Sequence, residues 1–487
     1  MEPAKGKALV AVDLGAQSCR VSLLRWIAGE PRIQVVHRFA NAPRQTANGL
    51  KWDVEAIFQG IAHGLRVAAS EAREGIASIG IDGWAVDYVR LRESGELFDD
   101  AYCYRDIRTE SAEKKVHELV SPERLYALTG IQILRINTLY QLYADKLAGA
   151  SAALRWVNLP EYMSFRLGGE RVAEYTNATH TALVALGTRQ WSGQIFAETD
   201  LDIATSPPMV PSGTAIGTVQ GDLATIQALR GAQIIVPACH DTASAISAIP
   251  AAGDDWAFIS SGTWSLVGTV LSAPCVSSDA YDQNFTNLGG VGGFFYFLKN
   301  VHGMWLLQQC IEEWESSGAS VQISELLSSC EKLGEPDALI DLDDPALMAP
   351  GEMIAKFNAQ RKRTGRSQLS ADRHEARSVA NLIFHSLAEK YAEVLSSLGR
   401  ITGKKLKRLF IVGGGSQNAL LNRLTAQRTG LEVIQGSSEC TTVGNFAVQL
   451  AALQGDWNET DGVSAASVSG WSERLLANAV LPAFAEK

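Results

Sequence analysis

The sequence predicts an α/β protein made of two similarly organised halves that meet near residue 249. Its 487 residues exceed the roughly 100–200 residues of an ordinary domain, so more than one core is expected. The segments Ala8 to Trp26 and Trp256 to Leu271 share one design: an apolar strand, a turn of small residues and a second apolar strand. Each opens a long stretch in which strand-like runs alternate with helical spacing of apolar residues. These observations divide the chain into residues 1–248 and 249–487.

In the first half, a helix and a strand follow the opening hairpin. Apolar residues recur at helical spacing between Asp53 and Glu74, and a strand is predicted over Ile76 to Ile81. Between residues 109 and 231 helical spacing is mixed with Gly, Pro and Ser loops, and the pattern assigns no elements there.

In the second half, the clearest element is a long helix predicted over Glu375 to Leu398, with apolar residues along one face. A buried strand then runs from Lys407 into Gly413-Gly414-Gly415, and a helix follows. A further helix is predicted from Gly444 to Ala452. The second half therefore also alternates strands with helices.

The composition is that of a globular protein and limits the partners. Hydrophobic residues make up 46% of the chain and charged residues 20%, which are ordinary values. The formal net charge of -10 argues against a nucleic acid or an anionic membrane surface as partner, because both attract basic patches. No apolar run approaches the roughly 18 residues of a membrane-spanning helix.

The cysteines and the start of the chain indicate a cytoplasmic protein. Seven cysteines are scattered at positions 19, 103, 239, 275, 310, 330 and 440, without a CxxC pair. An odd, scattered set fits reduced thiols better than a disulfide framework or a zinc site. The first residues lack the charged-then-apolar design of a signal peptide.

A candidate catalytic group follows the predicted strand Gln233–Val236. The chain there reads His240-Asp241-Thr242, and a helix is predicted over Thr242–Ile249. A carboxylate at the tip of a strand, beside an imidazole, is well placed to take a proton from an alcohol. Asp is also a favoured N-cap residue, and a histidine is often only a structural hydrogen-bonding group. The residues alone leave both interpretations open.

Three turns are candidates for binding phosphate. The turns Gly15 to Ser18 and Ser260 to Thr263 offer backbone N–H groups and hydroxyls, and Gly413 to Gly415 allows the backbone to approach a ligand closely. Ordinary structural turns have the same composition. Neither a GxGxxG nor a GxxxxGK[ST] motif occurs, so a dinucleotide fold and a P-loop are not supported.

Three aspartates at strand ends are candidates for binding a metal or a sugar. Asp13 ends the first strand and could hold a hydrated Mg²⁺, since that ion usually keeps several waters and takes one or two carboxylates. Asp82 and Asp87 follow the strand at Ile76 to Ile81 and are either sugar or metal contacts or solvated loop residues. A simple turn-forming role is the alternative for Asp13.

Eight short motifs, taken in order, resemble the FGGY carbohydrate kinases, in particular those that phosphorylate L-rhamnulose. They lie at residues 11–20, 79–87, 174–179, 240–245, 260–265, 298–308, 411–418 and 442–445. The similarity runs from about residue 8 to about residue 455. Coincidence over that length is implausible.

The resemblance implies two actin/hexokinase-like domains of ribonuclease H type around a central cleft. Residues 1–248 would form the sugar and phosphate side and residues 249–487 the nucleotide side. The implied reaction transfers the γ-phosphoryl group of ATP, with Mg²⁺, to the 1-hydroxyl of L-rhamnulose. L-fuculose or a pentulose is the alternative substrate, and a non-catalytic sugar- or nucleotide-binding protein is the rival of a different class. The partners would be a small-molecule sugar and ATP, and the assembly a monomer or homodimer.

The resemblance also implies roles for individual residues. Asp241 would be the general base, and the sugar site would contain Ala85, His240, Asp241, Thr242 and Asn300. The nucleotide would contact Ala16, Gln17, Ser18, Cys19, Arg20, Thr263, Gln308 and Gly414. Asp13 would hold Mg²⁺ through water.

This chain departs from the family pattern at two of these places. Gln17 and Cys19 stand in the first hairpin where the family keeps Ser and Gly, which bears on ATP affinity. Ala85 stands where the family has a Gly that contacts sugar, and Gly83 where it has Thr. A methyl group at a close backbone approach could reshape the pocket, so Ala85 bears on the choice of sugar.

Overall fold

The computed structural model describes residues 6–151, 153–316, 318, 321–370, 372 and 375–478. The chain forms two compact units: the first contains Met1–Pro250, Leu271–Phe297 and Glu439–Lys487, and the second contains Ala251–Val270 and Leu298–Ser438. The consecutive halves 1–248 and 249–487 describe a division along the chain, and that division stays a prediction. No helix of the described ranges is both long enough and apolar enough to span a membrane.

The strands are β1 Ala8–Leu14, β2 Ser18–Ile27, β3 Glu30–Ala40, β4 Arg44–Thr46, β5 Gly49–Lys51, β6 Ile76–Gly83, β7 Tyr88–Leu91, β8 Leu97–Asp99, β9 Arg155–Asn158, β10 Ala173–Glu174, β11 Met209–Val210, β12 Ala215–Thr218, β13 Gln233–Ile235, β14 Trp256–Ser261, β15 Trp264–Leu271, β16 Thr286–Gly289, β17 Phe295–His302, β18 Arg408–Val412 and β19 Glu432–Gln435.

The helices are α1 Val54–Glu71, α2 Thr109–Leu119, α3 Pro122–Thr129, α4 Thr138–Leu147, α5 Leu159–Arg166, α6 Tyr175–Ala178, α7 Gly193–Thr199, α8 Asp241–Ser247, α9 Ser278–Asp282, α10 Trp305–Ser316, α11 Ile323–Cys330, α12 Met353–Arg363, α13 Ala376–Thr402, α14 Ala419–Thr429, α15 Cys440–Leu453 and α16 Ala465–Asn478.

The main sheet of the first unit brings the ends of three strands to one edge. Its order is β12-β13-β6-β1-β2-β3, and β6 pairs in parallel with both β1 and β13. All seven residues of β1 are buried, as expected for a strand covered on both faces. Parallel strands end at the same edge, and in open α/β sheets ligands bind outside these carboxyl ends. Asp13, Asp82 and the chain after Ile235 therefore converge.

Two helices of the first unit cross in very close contact beside this sheet. A Cβ atom added at Gly444 of α15 would lie 1.9 Å from the carbonyl oxygen of Ser244 on α8. Only glycine permits this approach, because any side chain would overlap the backbone of α8. Helix α15 begins at Cys440, four residues before the start predicted from the sequence, so Gly444 lies inside the helix rather than at its beginning.

The second unit repeats the design of the first. Strands β14 and β15 form an antiparallel hairpin, and β14 pairs in parallel with β18, which pairs in parallel with β19. The hairpin β1–β2 is likewise joined in parallel to β6. Both hairpins and the strand before the triple glycine thus form where the sequence predicted them.

Candidate active site

The candidate site of the first unit is a cluster of three aspartates at the carboxyl ends of its parallel strands. Asp13 of β1 and Asp82 of β6 are direct register partners. Asp13 is 4% exposed and Asp82 is fully buried, whereas Asp241, the first residue of α8, keeps 32% of its side chain exposed. The three side chains interact electrostatically, so each charge affects the others.

One arginine supplies the positive charge of this cluster. Arg20 lies opposite Asp13 in the β1–β2 hairpin, and its Nη2 is 2.8 Å from Asp13 Oδ2. Its Nη1 also lies 3.0 Å from both carboxylate oxygens of Glu439, the residue before α15. Such two-sided pairing holds the guanidinium in one place. Glu439 has no counterpart among the residues predicted for the site.

The cluster carries more negative charge than Arg20 can balance. Burial and then the charge of Asp13 raise the pKa of Asp82 well above its ordinary value, although Asn445 Nδ2 donates to its Oδ2 at 2.6 Å. The same two causes raise the pKa of Asp241 to about 7. Among the described residues Asp82 Oδ1 has no hydrogen-bond partner. A cation would relieve both the repulsion and this unpaired oxygen.

These residues fit a hydrated Mg²⁺ better than a metal held in a protein cage. In the described part of the chain no three His, Cys, Asp or Glu side chains are arranged to hold a metal ion. Mg²⁺ keeps most of its waters and needs only one or two carboxylates together with substrate phosphates. Asp13 would hold the ion through water, as predicted, and the ion would neutralise phosphate charge.

Asp241 does not cap its helix in the way the sequence suggested as one alternative. His240 is the N-cap residue of α8, its side chain caps no backbone N–H, and Asp241 is already helical. Asp241 Oδ1 accepts hydrogen bonds from the backbone N–H and the hydroxyl of Thr242. His240 Nε2 lies 3.3 Å from the same oxygen. Both hydrogen bonds from Thr242 and the approach of His240 thus involve the same oxygen, Oδ1.

The loop that carries Ala85 is attached to the His240 segment. Gly83 N donates to the carbonyl of Cys239 at 2.9 Å, and Gly83 forms a parallel bridge with His240. A Cβ atom at Gly83 would lie 2.7 Å from Leu14 Cβ and 3.0 Å from the Leu14 carbonyl oxygen. Because of this close approach, position 83 of this chain requires a glycine. Ala85, two residues on, is 8% exposed.

Val86 stores backbone strain in this loop. Its φ of +71° lies in the left-handed region, where a β-branched residue is a genuine outlier. The Val86 carbonyl accepts from Thr138 Oγ1 at 2.7 Å and from Gln141 Nε2 at 3.2 Å, both on α4. Strained residues persist where the surroundings over-determine them, and they cluster at ligand sites. The strained conformation of Val86, the residue after Ala85, is therefore held by two side chains of α4.

Asp87 anchors the other end of the same loop, which excludes the solvated-loop interpretation. Both Asp82 and Asp87 are fully buried. Asp87 Oδ2 accepts from the indole N–H groups of Trp52 at 2.6 Å and Trp84 at 3.0 Å, and from the backbone N–H of Tyr104. Burial still raises the pKa of Asp87 to about 6. Asp87 thus orients Trp84.

A second buried carboxylate holds the segment that precedes His240. Glu174 Oε2 accepts from Cys239 N at 2.9 Å and from the Thr176 hydroxyl at 2.6 Å, and its Oε1 accepts from Ser212. Its neighbour Glu161 is also fully buried, and burial raises the pKa of Glu161 to about 8. Glu174 opens one of the family-like motifs, but nothing in the sequence showed that it contacts Cys239.

The first hairpin turn is closed by contacts of its backbone. A Cβ atom at Gly15 would lie 2.5 Å from the Ser18 carbonyl oxygen, so the turn requires glycine there. Asn41, which the sequence did not single out, donates from Nδ2 to the Gly15 carbonyl at 3.0 Å. Gln17 is exposed, whereas the Cys19 side chain is fully buried and burial raises the pKa of its thiol to about 12. Any contact of Cys19 with a nucleotide would therefore come from its backbone.

The remaining predicted residues of this turn, Ala16 and Ser18, are half-buried. Their contacts with a nucleotide stay a prediction. Ala85, His240, Asp241 and Thr242 lie together in the first unit through the Gly83 and Cys239 pairing. The structure thus assembles the predicted catalytic residue with three of the predicted sugar contacts.

The second unit brings the other predicted nucleotide residues to one place. Met304 N donates to the Gly262 carbonyl at 3.0 Å, which ties the β14–β15 turn, with Thr263, to the start of the helix that carries Gln308. A Cβ atom at Gly413 or Gly415 would lie 2.7 Å or 2.1 Å from atoms of Ser261, so the triple-glycine turn packs on the same hairpin. Gly414, between them, is exposed with open space around it.

Asn300, the remaining predicted sugar contact, lies on β17 in the second unit and is half-buried.

The fold is that of solved carbohydrate kinases. A xylulose kinase from Lactobacillus acidophilus has a similar structure, with a TM-score of 0.74 over 96% of each chain at 16% identity. A glycerol kinase from Plasmodium falciparum, solved with ADP, has a TM-score of 0.71 over 96% of this chain and 92% of its own, also at 16% identity. At such identity the likeness concerns the fold.

Sequence comparison identifies the family. The model of the N-terminal domain of the FGGY family of carbohydrate kinases matches residues 8–247, and that of the C-terminal domain matches residues 257–453. The chain belongs to this family. Proteins named rhamnulokinase are similar along nearly the whole chain: that of Enterococcus faecalis is 36% identical over 93% of this chain and 90% of its own, and that of Oceanobacillus iheyensis is 36% identical over 91% and 93%.

The comparisons confirm the predicted fold class and the predicted class of enzyme, an ATP-dependent sugar kinase. The individual site residues and the cytoplasmic location stay predictions.

Proposed function

We propose that this protein phosphorylates the 1-hydroxyl of L-rhamnulose with MgATP and that Asp241 is the general base. The observation that carries the proposal is the partly exposed Asp241 carboxylate, which accepts hydrogen bonds from Thr242 and lies beside His240 at the carboxyl edge of the sheet. The substrate follows from the similarity over more than 90% of the chain to proteins named rhamnulokinase.

Direct phosphoryl transfer from ATP to the sugar requires no covalent bond between the protein and either substrate. As the 1-hydroxyl oxygen bonds to the γ-phosphorus, its proton passes to Asp241 Oδ2 and ADP leaves. Phosphoryl transfer depends mainly on alignment and on neutralising charge. Arg20 and a hydrated Mg²⁺ near Asp13 would supply positive charge in the first unit. The turns containing Thr263 and Gly414 would hold the nucleotide in the second unit.

Substitution of Asp241 tests the base. Asp241→Asn keeps the size of the side chain but cannot take the proton, and loss of a general base costs about 10²–10⁴-fold in kcat. We expect such a loss with L-rhamnulose, measured as ADP release in a coupled assay, while calorimetry shows that sugar binding is largely kept. Asp254→Asn, at an exposed aspartate of the second unit, is the matched control and should retain full activity. A wild-type rate in Asp241→Asn would remove this residue from the mechanism.

A second candidate is a kinase for another ketose. It is favoured by Ala85, which adds a methyl group where the family has Gly and which follows the close contact between Gly83 and Leu14. Purified protein should be offered L-rhamnulose, L-fuculose, L-ribulose and D-xylulose with MgATP. If another ketose is phosphorylated and L-rhamnulose is not, the proposed substrate is wrong but the proposed reaction still holds. Sugar binding without any turnover would favour the non-catalytic alternative.

A further inference from the structure

A second histidine extends the hydrogen-bonded group at Asp241. His180 lies in the turn Thr179–Thr181 after α6 and is 7% exposed. Its Nε2 is 3.0 Å from Nδ1 of His240, and His240 Nε2 is 3.3 Å from Asp241 Oδ1. The two rings meet edge to face, with centroids 4.0 Å apart. His180, His240 and Asp241 thus form one continuous chain of polar atoms.

The turn that carries His180 is itself held in place. Asn137 Nδ2 donates to the His180 carbonyl at 3.1 Å. The hydroxyl of the preceding Thr179 accepts from Gly289 N at 3.0 Å. These contacts fix the backbone on both sides of the imidazole, so the distance to His240 is set by the fold rather than by the two rings alone.

Matching donors to acceptors along this chain assigns a tautomer to each imidazole ring. Burial lowers the pKa of both imidazoles, that of His180 to about 3, so each ring is neutral and has one N–H and one lone pair. An ionised Asp241 can only accept, so His240 carries its hydrogen on Nε2. His240 Nδ1 is then the acceptor, and His180 must donate from its own Nε2.

We propose that His180 is a positioning residue for the kinase reaction: by donating to His240 Nδ1 it keeps the His240 N–H directed at Asp241. The inference rests on the proposed role of Asp241 as base. His240 Nε2 lies 3.3 Å from Oδ1, which also accepts both hydrogen bonds from Thr242, so Oδ2 is the oxygen left for the substrate. Without a donor at position 180, His240 can adopt the other tautomer and present a lone pair to the carboxylate.

The other tautomer would favour protonated Asp241, because a lone pair at His240 Nε2 accepts a hydrogen bond from the acid and repels the anion. Loss of the donor should therefore shift the acid limb of the pH–rate profile, which is the pH below which kcat/KM falls, to higher pH. The charged groups that face Asp241 are Asp13 on β1, Arg20 on β2 and Asp82 on β6. They are the same in all variants at position 180.

Glu174 and Glu161 are the buried acids behind Cys239, and they too are unchanged in these variants. A shift between variants at position 180 therefore reports on the histidine chain.

Nitrogen NMR tests the tautomers directly. In full-length protein labelled with ¹⁵N only at its eight histidines, two-bond couplings distinguish Nδ1–H from Nε2–H. The signals of His180 and His240 are assigned from His180→Gln and His240→Asn spectra. At pH 8 and without ligand both residues should be Nε2–H tautomers. A His240 that carries its hydrogen on Nδ1 would overturn the inference.

Kinetics tests the consequence. His180→Met removes the donor and should raise the acid limb of kcat/KM for the ketose by roughly 0.5–1 pH unit, with the KM for ATP unchanged. His180→Gln can still donate and should restore the wild-type limb. His63→Gln, at an exposed histidine, is the control and should change nothing. A higher ketose KM in His180→Met with an unmoved limb would make His180 a substrate contact and reject the positioning role.

Failure of the inference is distinguishable from failure of the proposed function. If the wild-type protein turns over no ketose, the proposed reaction is wrong whatever the NMR spectra show. If the wild-type protein is active but His240 has the opposite tautomer, only the role of His180 is wrong. Should His180→Met fail to fold, the wild-type tautomers and His180→Gln still decide the question.

Discussion

The two hairpins of this kinase have the same backbone design and opposite chemistry. The turn between β1 and β2 in the first unit is flanked by Asp13 and Arg20, which form an ion pair that continues to Glu439. The turn between β14 and β15 in the second unit is flanked by Ser261 and Trp264 and packs on the triple-glycine turn. The first hairpin therefore holds charged side chains in place, whereas the second allows the triple-glycine turn to pack closely against its backbone.

The repeated fold places each hairpin turn at the carboxyl edge of its sheet, and the side chains of the turn decide what it can bind. Both hairpins lie beside a parallel strand, β6 or β18, so both reach the carboxyl edge of their sheet. A buried charge can be held there only with a countercharge, whereas small residues leave backbone N–H groups accessible to an anion. We therefore expect loss of the Asp13 charge in the first hairpin to affect mainly the chemical step and substitutions near the second hairpin to affect mainly nucleotide binding.

The largest effect is expected from Asp13→Asn. Removing this charge takes away the predicted Mg²⁺ site and leaves Arg20 paired only with Glu439, so kcat should fall by about 10²–10³-fold. The free magnesium concentration needed for half-maximal rate should rise. Ser260→Ala, at the end of the first strand of the second hairpin, is the control and should stay within a few fold of the wild type. Equal losses in both variants would contradict the proposed division of roles.

A smaller effect is expected from Gly413→Ala in the triple-glycine turn. Gly413 has a φ of +83°, and a Cβ atom would lie 2.7 Å from the Ser261 carbonyl oxygen. Left-handed backbone costs a non-glycine residue roughly 1–2 kcal/mol, so the melting temperature should fall. The KM for ATP should rise several-fold while the KM for the ketose stays unchanged.

Gly414→Ala is the matched variant, because nothing lies within 4 Å of its added Cβ. Its melting temperature should be that of the wild type. An equal fall in both variants would show that the contact with Ser261 is not what the glycine provides.

The third expected effect is on the pH dependence of the rate. Because burial and Asp13 raise the pKa of Asp241 to about 7, the base is increasingly protonated below that pH, and kcat/KM should fall as the solution becomes more acidic. The acid limb should lie well above the ordinary aspartate range and no higher than about 7, since a bound cation favours the carboxylate.

In Asp13→Asn, measured with magnesium at a saturating concentration, the acid limb should move to lower pH, because one of the charges that raise the pKa of Asp241 is gone. Ser260→Ala should leave the limb in place. A limb that does not move in Asp13→Asn would mean that the titrating group is not Asp241.

The smallest effect is on the free energy of unfolding. The partly buried charge of ionised Asp241 should make the protein less stable at neutral and higher pH than at acidic pH. The folded protein holds the Asp241 proton up to about pH 7, whereas the unfolded chain releases it near the ordinary value of 3.8. Stability from this group is therefore present below pH 4 and lost as the pH rises to about 7. Asp241→Asn avoids that loss, so its melting temperature should exceed that of the wild type by on the order of a few degrees at pH 8.

At pH 5 the melting temperatures of Asp241→Asn and the wild type should be closer, because the wild-type carboxyl is then protonated. Asp254→Asn should show no such trend, since Asp254 is exposed. A constant difference between Asp241→Asn and the wild type at all pH values would contradict the raised pKa.

Much of the site could be predicted from local pattern. The hairpin strands, the strand before Gly413 and the helix after Asp241 follow from apolar runs interrupted by small residues, because short-range pattern determines short elements. The order of the motifs predicted the family. Pattern could not show that Asp82 and Asp87 are buried, since both look like loop residues after a strand.

The sequence by itself determined the family, the α/β class, the two hairpins and Asp241 as the candidate base, because each can be recognised from short motifs or runs whose residues are adjacent in the chain. Only the tertiary structure decided which distant groups reach that base. Glu439 pairs with Arg20 across 419 positions, and His180 reaches His240 across 60. Such partners are chosen by parallel strand register and by the close crossing of α8 and α15 at Gly444, which no local pattern encodes.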